Sequence, residues 1–217
     1  NEPNDTIPPH LEDLERLHRL IREKMIFTVL EFGIGYSTLV MADALWKNKK
    51  EWDQISDKPK IRNRFMFQIF SIDSSKQWIE VAKKRMPDHL QEIIHIAYST
   101  VEMGTFQDQI CHYYSDIPDV IPDFIYLDGP DPATVRGSIH GLTFHNCPER
   151  TVMSGDLLLM ESTLLPGTTI VVDGRTNNAR FLQRNFKRKW AVHWDPQGDY
   201  TQFELNEERL GKYNILG

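Results

Sequence analysis

Short runs of β-branched and aromatic residues alternate along the chain with longer segments in which apolar residues recur every three or four positions. The first helical stripe begins at His10, and the first apolar run follows at residues 26–30. The alternation continues to residue 187, and two apolar runs without a helix between them follow at residues 190–194 and 200–205. Such alternation is typical of βαβ units, and the final pair is typical of an antiparallel hairpin. The pattern predicts an α/β fold, with a doubly wound, mostly parallel seven-stranded sheet and an antiparallel C-terminal hairpin.

Three segments interrupt this alternation. Residues 1–9 contain three prolines and few apolar side chains, which is typical of a flexible arm. Residues 47–64 are dense in charge, and we interpret them as a surface insertion. Residues 129–154 are broken by prolines and glycines, and we interpret them as a loop on the substrate side. The predicted strands are residues 26–30, 67–72, 92–97, 123–127, 168–172, 190–194 and 200–205, and the predicted helices include residues 10–24, 76–86, 156–165 and 177–187.

Length and charge narrow the class of protein. The 217 residues fit one domain, and no apolar run reaches the roughly 18 residues that a membrane span needs. Lys and Arg total 25 against 31 Asp and Glu, and the net charge of −6 argues against a nonspecific nucleic-acid-binding protein, although it leaves room for a local basic patch. The polar start lacks the pattern of a signal peptide, and Cys111 and Cys147 are too few for a disulfide framework. We therefore predict a soluble, cytoplasmic single domain with two reduced thiols.

Four predicted strands end in residues that are suited to ligand binding. The first ends in the glycine-rich turn Glu31-Phe-Gly-Ile-Gly35, and the others end at Asp73, Asp128 and Asp173. In a doubly wound sheet, ligands bind beyond the carboxyl ends of the parallel strands. A glycine-rich turn lets the backbone approach a ligand, and the helix that follows accepts a negative group at its N-terminus. A carboxylate at another strand end can accept hydrogen bonds from ribose hydroxyls, so this edge of the sheet is the predicted site.

The same segments resemble the motifs of a known family. Residues 29–38, Val-Leu-Glu-Phe-Gly-Ile-Gly-Tyr-Ser-Thr, resemble the first motif of class I S-adenosylmethionine-dependent methyltransferases. Their Gly-Tyr-Ser ending is similar to the catechol-type and macrolide-sugar O-methyltransferases. Residues 70–73, 126–129 and 164–173 resemble the second motif, the fourth motif and the fifth strand of that family. The resemblance covers about residues 26–205 and implies a Rossmann-like methyltransferase fold with S-adenosylmethionine as cofactor.

The resemblance also implies a set of cofactor contacts. The glycine-rich turn would line the methionine part of the cofactor, and Ser37 would bond its carboxylate. Asp73 would accept the ribose hydroxyls, Ser99 would border the adenine, and Asp128 would lie beside the sulfonium and the incoming nucleophile. The implied cofactor-binding residues are Glu31, Gly33, Gly35, Tyr36, Ser37, Asp73, Ser74, Ser99 and Asp128.

The resemblance to the catechol-type branch raises the question of magnesium. In that branch an Asp after the fourth strand and an Asp-Asn or Asp-Asp pair after the fifth hold the ion. Asp128 and Asp173 match, but Gly174 stands at the next position, which removes one oxygen ligand from a hard-cation site. The candidate replacements are Asn177, Asn178 and Asp131. We expect no metal, with magnesium at Asp128 and Asp173 as the alternative.

A histidine in residues 129–154 is a candidate general base, because imidazole titrates near working pH. The candidate catalytic residues are therefore Asp128, Asp173 and His140. The alternative is that His140 and His145 both lie on a surface loop. A zinc site that combines these histidines with Cys147 lacks a fourth ligand and a recognisable spacing.

From these residues we predict methyl transfer to a small-molecule acceptor, with an oxygen nucleophile. One alternative is a binding module that keeps the fold and has lost the chemistry. Another is a nicotinamide-dependent oxidoreductase, which is disfavoured because Thr38 replaces the third glycine of the dinucleotide fingerprint. We expect neither a nucleic-acid nor a membrane partner. Trp190, Trp194 and Phe203 fall on the C-terminal hairpin, where they either pack in the core or form the face of a homodimer.

Overall fold

Helices cover both faces of a seven-stranded sheet in the computed structural model of the chain, which describes residues 10–209. The helices are α1 (Leu11–Glu23), α2 (Tyr36–Gln54), α3 (Lys76–Arg85), α4 (Asp156–Met160) and α5 (Thr176–Asn185). The strands are β1 (Thr28–Phe32), β2 (Gln68–Asp73), β3 (Ile94–Tyr98), β4 (Val101–Phe106), β5 (Gln109–Tyr114), β6 (Phe124–Leu127), β7 (Val135–Arg136), β8 (Thr169–Asp173), β9 (Trp190–Asp195) and β10 (Tyr200–Leu205). The flexible arm predicted for residues 1–9 lies outside the described residues.

The main sheet has the strand order β3-β2-β1-β6-β8-β10-β9. Neighbouring strands from β3 to β8 run parallel, whereas β10 pairs antiparallel with both β8 and β9. This topology confirms the predicted doubly wound sheet with its antiparallel C-terminal hairpin. The strand order reverses between β1 and β6, so their carboxyl ends border the crevice in which such sheets bind ligands.

The central strands β1, β6 and β8 are buried along nearly their whole length, because helices shield both faces of the sheet. Val29 and Phe124 belong to the core that includes α1 and α2, while Leu30 and Ile125 belong to the core that includes α4 and α5. Full burial of one such side chain contributes about 1.5–3 kcal/mol. The apolar runs of the sequence therefore become a rigid support for the loops at the strand ends.

A second, three-stranded sheet has no counterpart in the sequence predictions. Its strand order is β5-β4-β7, and β4 and β5 form an antiparallel hairpin. The hairpin turns at Gln107 and Asp108, whose φ angles of 48° and 61° are both positive. Turns of this kind usually carry Asn-Gly or Gly-Gly, so Gln-Asp gives no recognisable signal. Residues 98–122 consequently carry no predicted element.

The predicted surface insertion at residues 47–64 is wrong for its first part, because α2 continues to Gln54. Asn48 is fully buried within α2, and its side-chain amide donates to the carbonyls of Ile21 and Ile26 at 3.0 Å each. These bonds satisfy carbonyl groups at the end of α1 and hold the two helices together. Because this stretch is dense in charge, its sequence does not indicate that Asn48 belongs to the core.

The helix predicted at residues 156–165 is shorter in the structure. Helix α4 ends at Met160 and continues as a 3₁₀ turn over Glu161–Thr163. No helix within residues 10–209 is long and apolar enough to cross a membrane.

Candidate functional site

The carboxyl ends of β1, β2, β6 and β8 surround a cavity of about 600 Å³. Its walls come from the loop between β1 and α2, the segment from β2 into α3, and the segment after β6. The lining residues include Gly33, Gly35, Tyr36, Ser37, Asp73, Ser74, Asp128 and Asp173. A cavity of this volume suits a small organic ligand.

Two glycines bring the ends of β1 and β6 into backbone contact. Gly33 has a φ of +99°, a conformation that other residues adopt only with strain. A Cβ on Gly33 would lie 2.9 Å from the amide nitrogen of Gly129, which itself donates to the carbonyl of Phe32 at 2.6 Å. Gly33 is therefore required by the backbone itself, independently of any ligand.

Gly35 differs, because no contact within the protein requires a glycine there. Its φ of −164° is extended, and a Cβ would meet no atom closer than the Oγ of Ser37, at 3.7 Å. Gly35 precedes α2 and lines the cavity. The missing side chain leaves room for a ligand at the N-terminus of α2, where free backbone N–H groups favour a negative group.

Glu31 organises this turn from behind the cavity. Its carboxylate is fully buried and accepts hydrogen bonds from the hydroxyls of Ser37, Thr38 and Ser71 at 2.6, 2.6 and 2.5 Å. Burial raises the pKa of Glu31 to about 7, against the lowering effect of the three hydroxyl donors. The Thr38 hydroxyl also accepts a bond from the N–H of Gly35 at 3.2 Å. Glu31 thereby fixes the first turn of α2 and the position of Gly35.

Asp73 connects two loops at the cavity wall. Its Oδ2 accepts a hydrogen bond from the N–H of Ile34 at 2.9 Å, and its Oδ1 accepts one from the N–H of Ser75 at 2.6 Å. Burial raises the pKa of this carboxyl, while the backbone donors lower it. Each oxygen keeps a further lone pair, so the carboxylate can also accept two hydroxyl groups of a ligand.

Charged groups meet where β6 and β8 end. The Asp128 side chain lines the cavity and is 53% exposed. The protein groups around it still remove part of its hydration, and this partial desolvation raises its pKa to about 6. Arg175, 4.0 Å away, lowers that pKa, whereas Asp173 and Asp73 raise it. The Arg175 guanidinium also donates to the backbone carbonyl of Asp128. Asp173 accepts a hydrogen bond from the hydroxyl of Tyr126 at 2.5 Å.

A second cavity, of about 930 Å³, adjoins the first. Its walls come from residues 10–13 at the start of α1, from residues 148–152, and from the turn between β9 and β10. Asp128, Asp173 and Arg175 line both cavities. The two spaces therefore meet at these three side chains, together with His10, Asp13 and Pro132, which also line both.

The fold has counterparts among solved structures. A methyltransferase from Geobacter sulfurreducens matches with a TM-score of 0.54 and 14% identity over 94% of this chain and 83% of that chain. An O-methyltransferase from Streptomyces achromogenes involved in tomaymycin synthesis, solved with S-adenosylmethionine, matches with a TM-score of 0.51 and 15% identity over 94% of this chain and 83% of that chain. An O-methyltransferase from Bacillus cereus, solved with S-adenosylhomocysteine, matches with a TM-score of 0.51 and 15% identity over 95% of this chain and 85% of that chain. The fold is that of the class I methyltransferases.

No protein-family model and no curated protein sequence matches the chain. Because the sequence identities are only 14% and 15%, the structural matches show the methyltransferase fold alone. The activity is therefore inferred from the site residues themselves.

Two residues predicted to contact a cofactor do not line the smaller cavity. Glu31 lies behind it, and all three of its hydroxyl donors come from the protein. Ser99 is 2% exposed, and its hydroxyl accepts a hydrogen bond from the N–H of Asp116 at 2.9 Å. The Ser99 hydroxyl therefore bonds the segment that follows β5 and lies outside the cavity.

His140, the predicted general base, lies outside both cavities. His140 has a φ of +50° and lies in an exposed turn that the bridge between Ile139 and Leu142 closes. His145 is exposed as well, and its Nδ1 lies 3.1 Å from the carbonyl of Val135. Neither histidine lines either cavity, so the surface-loop alternative describes both of them.

The residues at the junction of the cavities do not fit a magnesium ion. Asp173 already accepts the Tyr126 hydroxyl, and the guanidinium of Arg175 lies beside Asp128. Of the candidate replacement ligands, Asn178 is fully buried and its Oδ1 accepts the N–H of Ser154. Within residues 10–209, no group of three His, Cys, Asp or Glu side chains is placed to hold a metal ion.

Helix α1 contributes to the site residues that the sequence pattern does not single out. His10 and Asp13 line both cavities, and Leu14 lines the smaller one. Helix α1 packs on the core through Leu17 and Ile21, which brings its N-terminal end to the edge of the sheet. Its amphipathic stripe predicts the helix, but a local pattern contains no information about which distant strand ends the helix will meet.

Proposed function

We propose that the chain transfers a methyl group from S-adenosylmethionine to a small-molecule acceptor through an oxygen nucleophile. The observation that carries this proposal is the junction of two cavities at Asp128, Asp173 and Arg175. Methyl transfer requires a cofactor and an acceptor to meet in line, and most of its catalysis is positioning. When bound, the cofactor would supply an activated methyl group on a sulfonium. The solved structures of this fold that contain S-adenosylmethionine or S-adenosylhomocysteine support this choice of cofactor.

The smaller cavity fits the parts of this cofactor. Asp73 is placed to accept the ribose hydroxyls, and Gly35 leaves room for the methionine part. Because Ser37 donates to Glu31, the backbone N–H groups at the start of α2 are the proposed donors to the cofactor carboxylate. Trp78 of α3 lines the same cavity and replaces Ser99 as the proposed neighbour of the adenine.

Asp128 is the proposed acceptor of the proton that the nucleophile loses. It lies at the junction of the cavities, and with a pKa of about 6 it is mostly ionised at neutral pH. Asp173 lies at the end of the neighbouring strand β8, where it accepts a hydrogen bond from Tyr126 and lies 3.9 Å from a guanidinium nitrogen of Arg16. We assign Asp173 to orientation of the acceptor.

The direct test is an incubation of the protein with methyl-labelled S-adenosylmethionine and a panel of phenols, sugars and hydroxylated amino acids. Label that reaches an acceptor oxygen, together with formation of S-adenosylhomocysteine, supports the proposal. Binding of S-adenosylhomocysteine without turnover on any acceptor favours the binding-module alternative.

The rate of methyl transfer is expected to fall as the pH drops through about 6. Burial raises the pKa of Asp128 to about this value, and only its ionised form accepts a proton. Below this pKa the rate should fall about tenfold per pH unit, and above it the rate should level off. The affinity for S-adenosylhomocysteine, measured over the same pH range, reports separately on the ionisation of Glu31. Burial raises the pKa of that carboxyl to about 7. A rate that stays constant well below pH 6 would contradict the role of Asp128.

A Gly35→Ala variant is expected to keep its stability and to bind S-adenosylhomocysteine at least about tenfold more weakly, because the added methyl group enters space left for the ligand. Gly33→Ala is the matched comparison. Its positive φ and the 2.9 Å contact with Gly129 should lower the free energy of unfolding by about 2–4 kcal/mol. Thermal denaturation and calorimetric titration measure the two effects. Native affinity in Gly35→Ala would show that the ligand does not approach this position.

A further inference from the structure

The outer strand β9 presents an exposed apolar strip. It is the last strand of the main sheet, and among the described residues it pairs with β10 alone. Val192 and Trp194 are 37% and 52% exposed. Alternation along the strand places them on the same face as Trp190, which stacks on Phe186 at a ring distance of 4.8 Å. Phe203, the third aromatic residue predicted on this hairpin, is fully buried.

The devices that usually protect an edge strand are missing from β9. Natural edge strands are commonly blunted by prolines, lysines, bulges or very short length. Strand β9 is six residues long and contains neither proline nor lysine. In an antiparallel pair, alternate residues direct their N–H and C=O groups to the partner strand, and the intervening residues direct theirs outward. The outward groups of β9 are therefore available to a further strand.

We propose that two copies of the chain form a homodimer by antiparallel pairing of their β9 strands about a two-fold axis at Val192. Directly opposite residues of an antiparallel pair lie on the same face of the sheet. Trp190 of one copy then lies beside Trp194 of the second copy, which covers the exposed ring. Lys189 lies opposite Asp195 in both halves of the pair. The two main sheets become one continuous sheet.

The charges at the ends of β9 favour this register. Lys189 is exposed, and Asp195 uses only its Oδ1 for the hydrogen bonds from Gln197 and Gly198 that the structure shows. The two-fold axis creates two Lys–Asp pairs, and each opposite-charge pair across strands contributes about 0.2–1 kcal/mol. The neighbouring register, centred on His193, loses both pairs and places Lys189 opposite Gln197. The surface is therefore complementary to itself in one register.

The test is sedimentation equilibrium of the full chain over a concentration series. A single strand pair with a small aromatic cluster makes a modest interface, so we expect a monomer–dimer equilibrium in about the micromolar range. Lys189→Glu should weaken the dimer about tenfold or more, and the double variant Lys189→Glu/Asp195→Lys should restore it. Because Asp195 also bonds the following turn, thermal denaturation of each variant establishes that the fold is intact.

Val192→Lys provides a second, independent test, because it places two ammonium groups at the axis. The matched control is Ala97→Lys on β3, an exposed position in the opposite edge strand, which should leave the dimer unchanged. A full chain that stays monomeric up to ~100 µM overturns the proposal, and so does a dimer that survives Val192→Lys. If the full chain is monomeric and dimerises only when residues 210–217 are removed, that segment occupies the edge of β9 in the full chain. This result would overturn the proposal as well.

Discussion

An Asp128→Asn variant is expected to lose about 10²–10⁴-fold in kcat while binding S-adenosylhomocysteine with near-native affinity. The amide has the shape of the carboxylate but accepts no proton from the nucleophile. Asp128 lines both cavities, so the loss should fall on the chemical step, and the cofactor contacts at Asp73 and Gly35 should persist. Single-turnover methyl transfer and calorimetric titration measure the two quantities separately.

Two further observations belong to this prediction. The residual activity of Asp128→Asn should no longer fall as the pH drops through about 6, because the group responsible has been removed. His140→Ala should retain the native rate, since His140 lies in an exposed turn away from both cavities. Native kcat in Asp128→Asn, or a large loss in His140→Ala, would assign the proton transfer to another group.

An Asp73→Ala variant is expected to bind S-adenosylhomocysteine at least about 100-fold more weakly. The carboxylate is the proposed acceptor for two ribose hydroxyls, and each hydrogen bond to a charged group contributes about 1.5–3 kcal/mol. Because 1.4 kcal/mol corresponds to tenfold in affinity, the loss of both bonds exceeds 100-fold. Asp73→Asn keeps one acceptor oxygen, so its affinity for S-adenosylhomocysteine should lie between those of the native chain and Asp73→Ala.

The Asp73 experiment needs a control for loop structure, since Asp73 also accepts the N–H groups of Ile34 and Ser75. A lower melting temperature with native affinity would mean that the carboxylate only braces the loops. Asp119→Ala removes an exposed carboxylate outside both cavities and should change neither stability nor affinity. Equal affinities of Asp73→Ala and Asp119→Ala would contradict the ribose assignment.

The sheet and its ligand-binding edge are predictable because both follow from local pattern. Apolar runs such as residues 168–172 must be buried on two faces, and the parallel arrangement brings Asp73, Asp128 and Asp173 to one edge wherever the intervening loops run. The glycine at position 33 is likewise a backbone requirement that a sequence motif records. These features do not depend on knowledge of distant contacts.

The features that escaped prediction depend on contacts between distant segments. The motif suggests that Glu31 contacts a ligand. In the structure its carboxylate accepts a hydrogen bond from Ser71, which lies forty positions away in the sequence. His140 is a chemically suitable base, and only the path of its loop places it in an exposed turn outside both cavities. The end of α1 lines the site because of packing against the core through Leu17 and Ile21, which no local pattern encodes.

Calorimetric titration of the native chain with S-adenosylhomocysteine tests the central claim most directly. The structure supports binding of one molecule in the cavity beside Gly35 and Asp73, and we expect a dissociation constant of about micromolar size, with no heat from NAD under the same conditions. Absence of binding at about millimolar S-adenosylhomocysteine would contradict the proposed function, because the methyltransferase fold would then lack its cofactor.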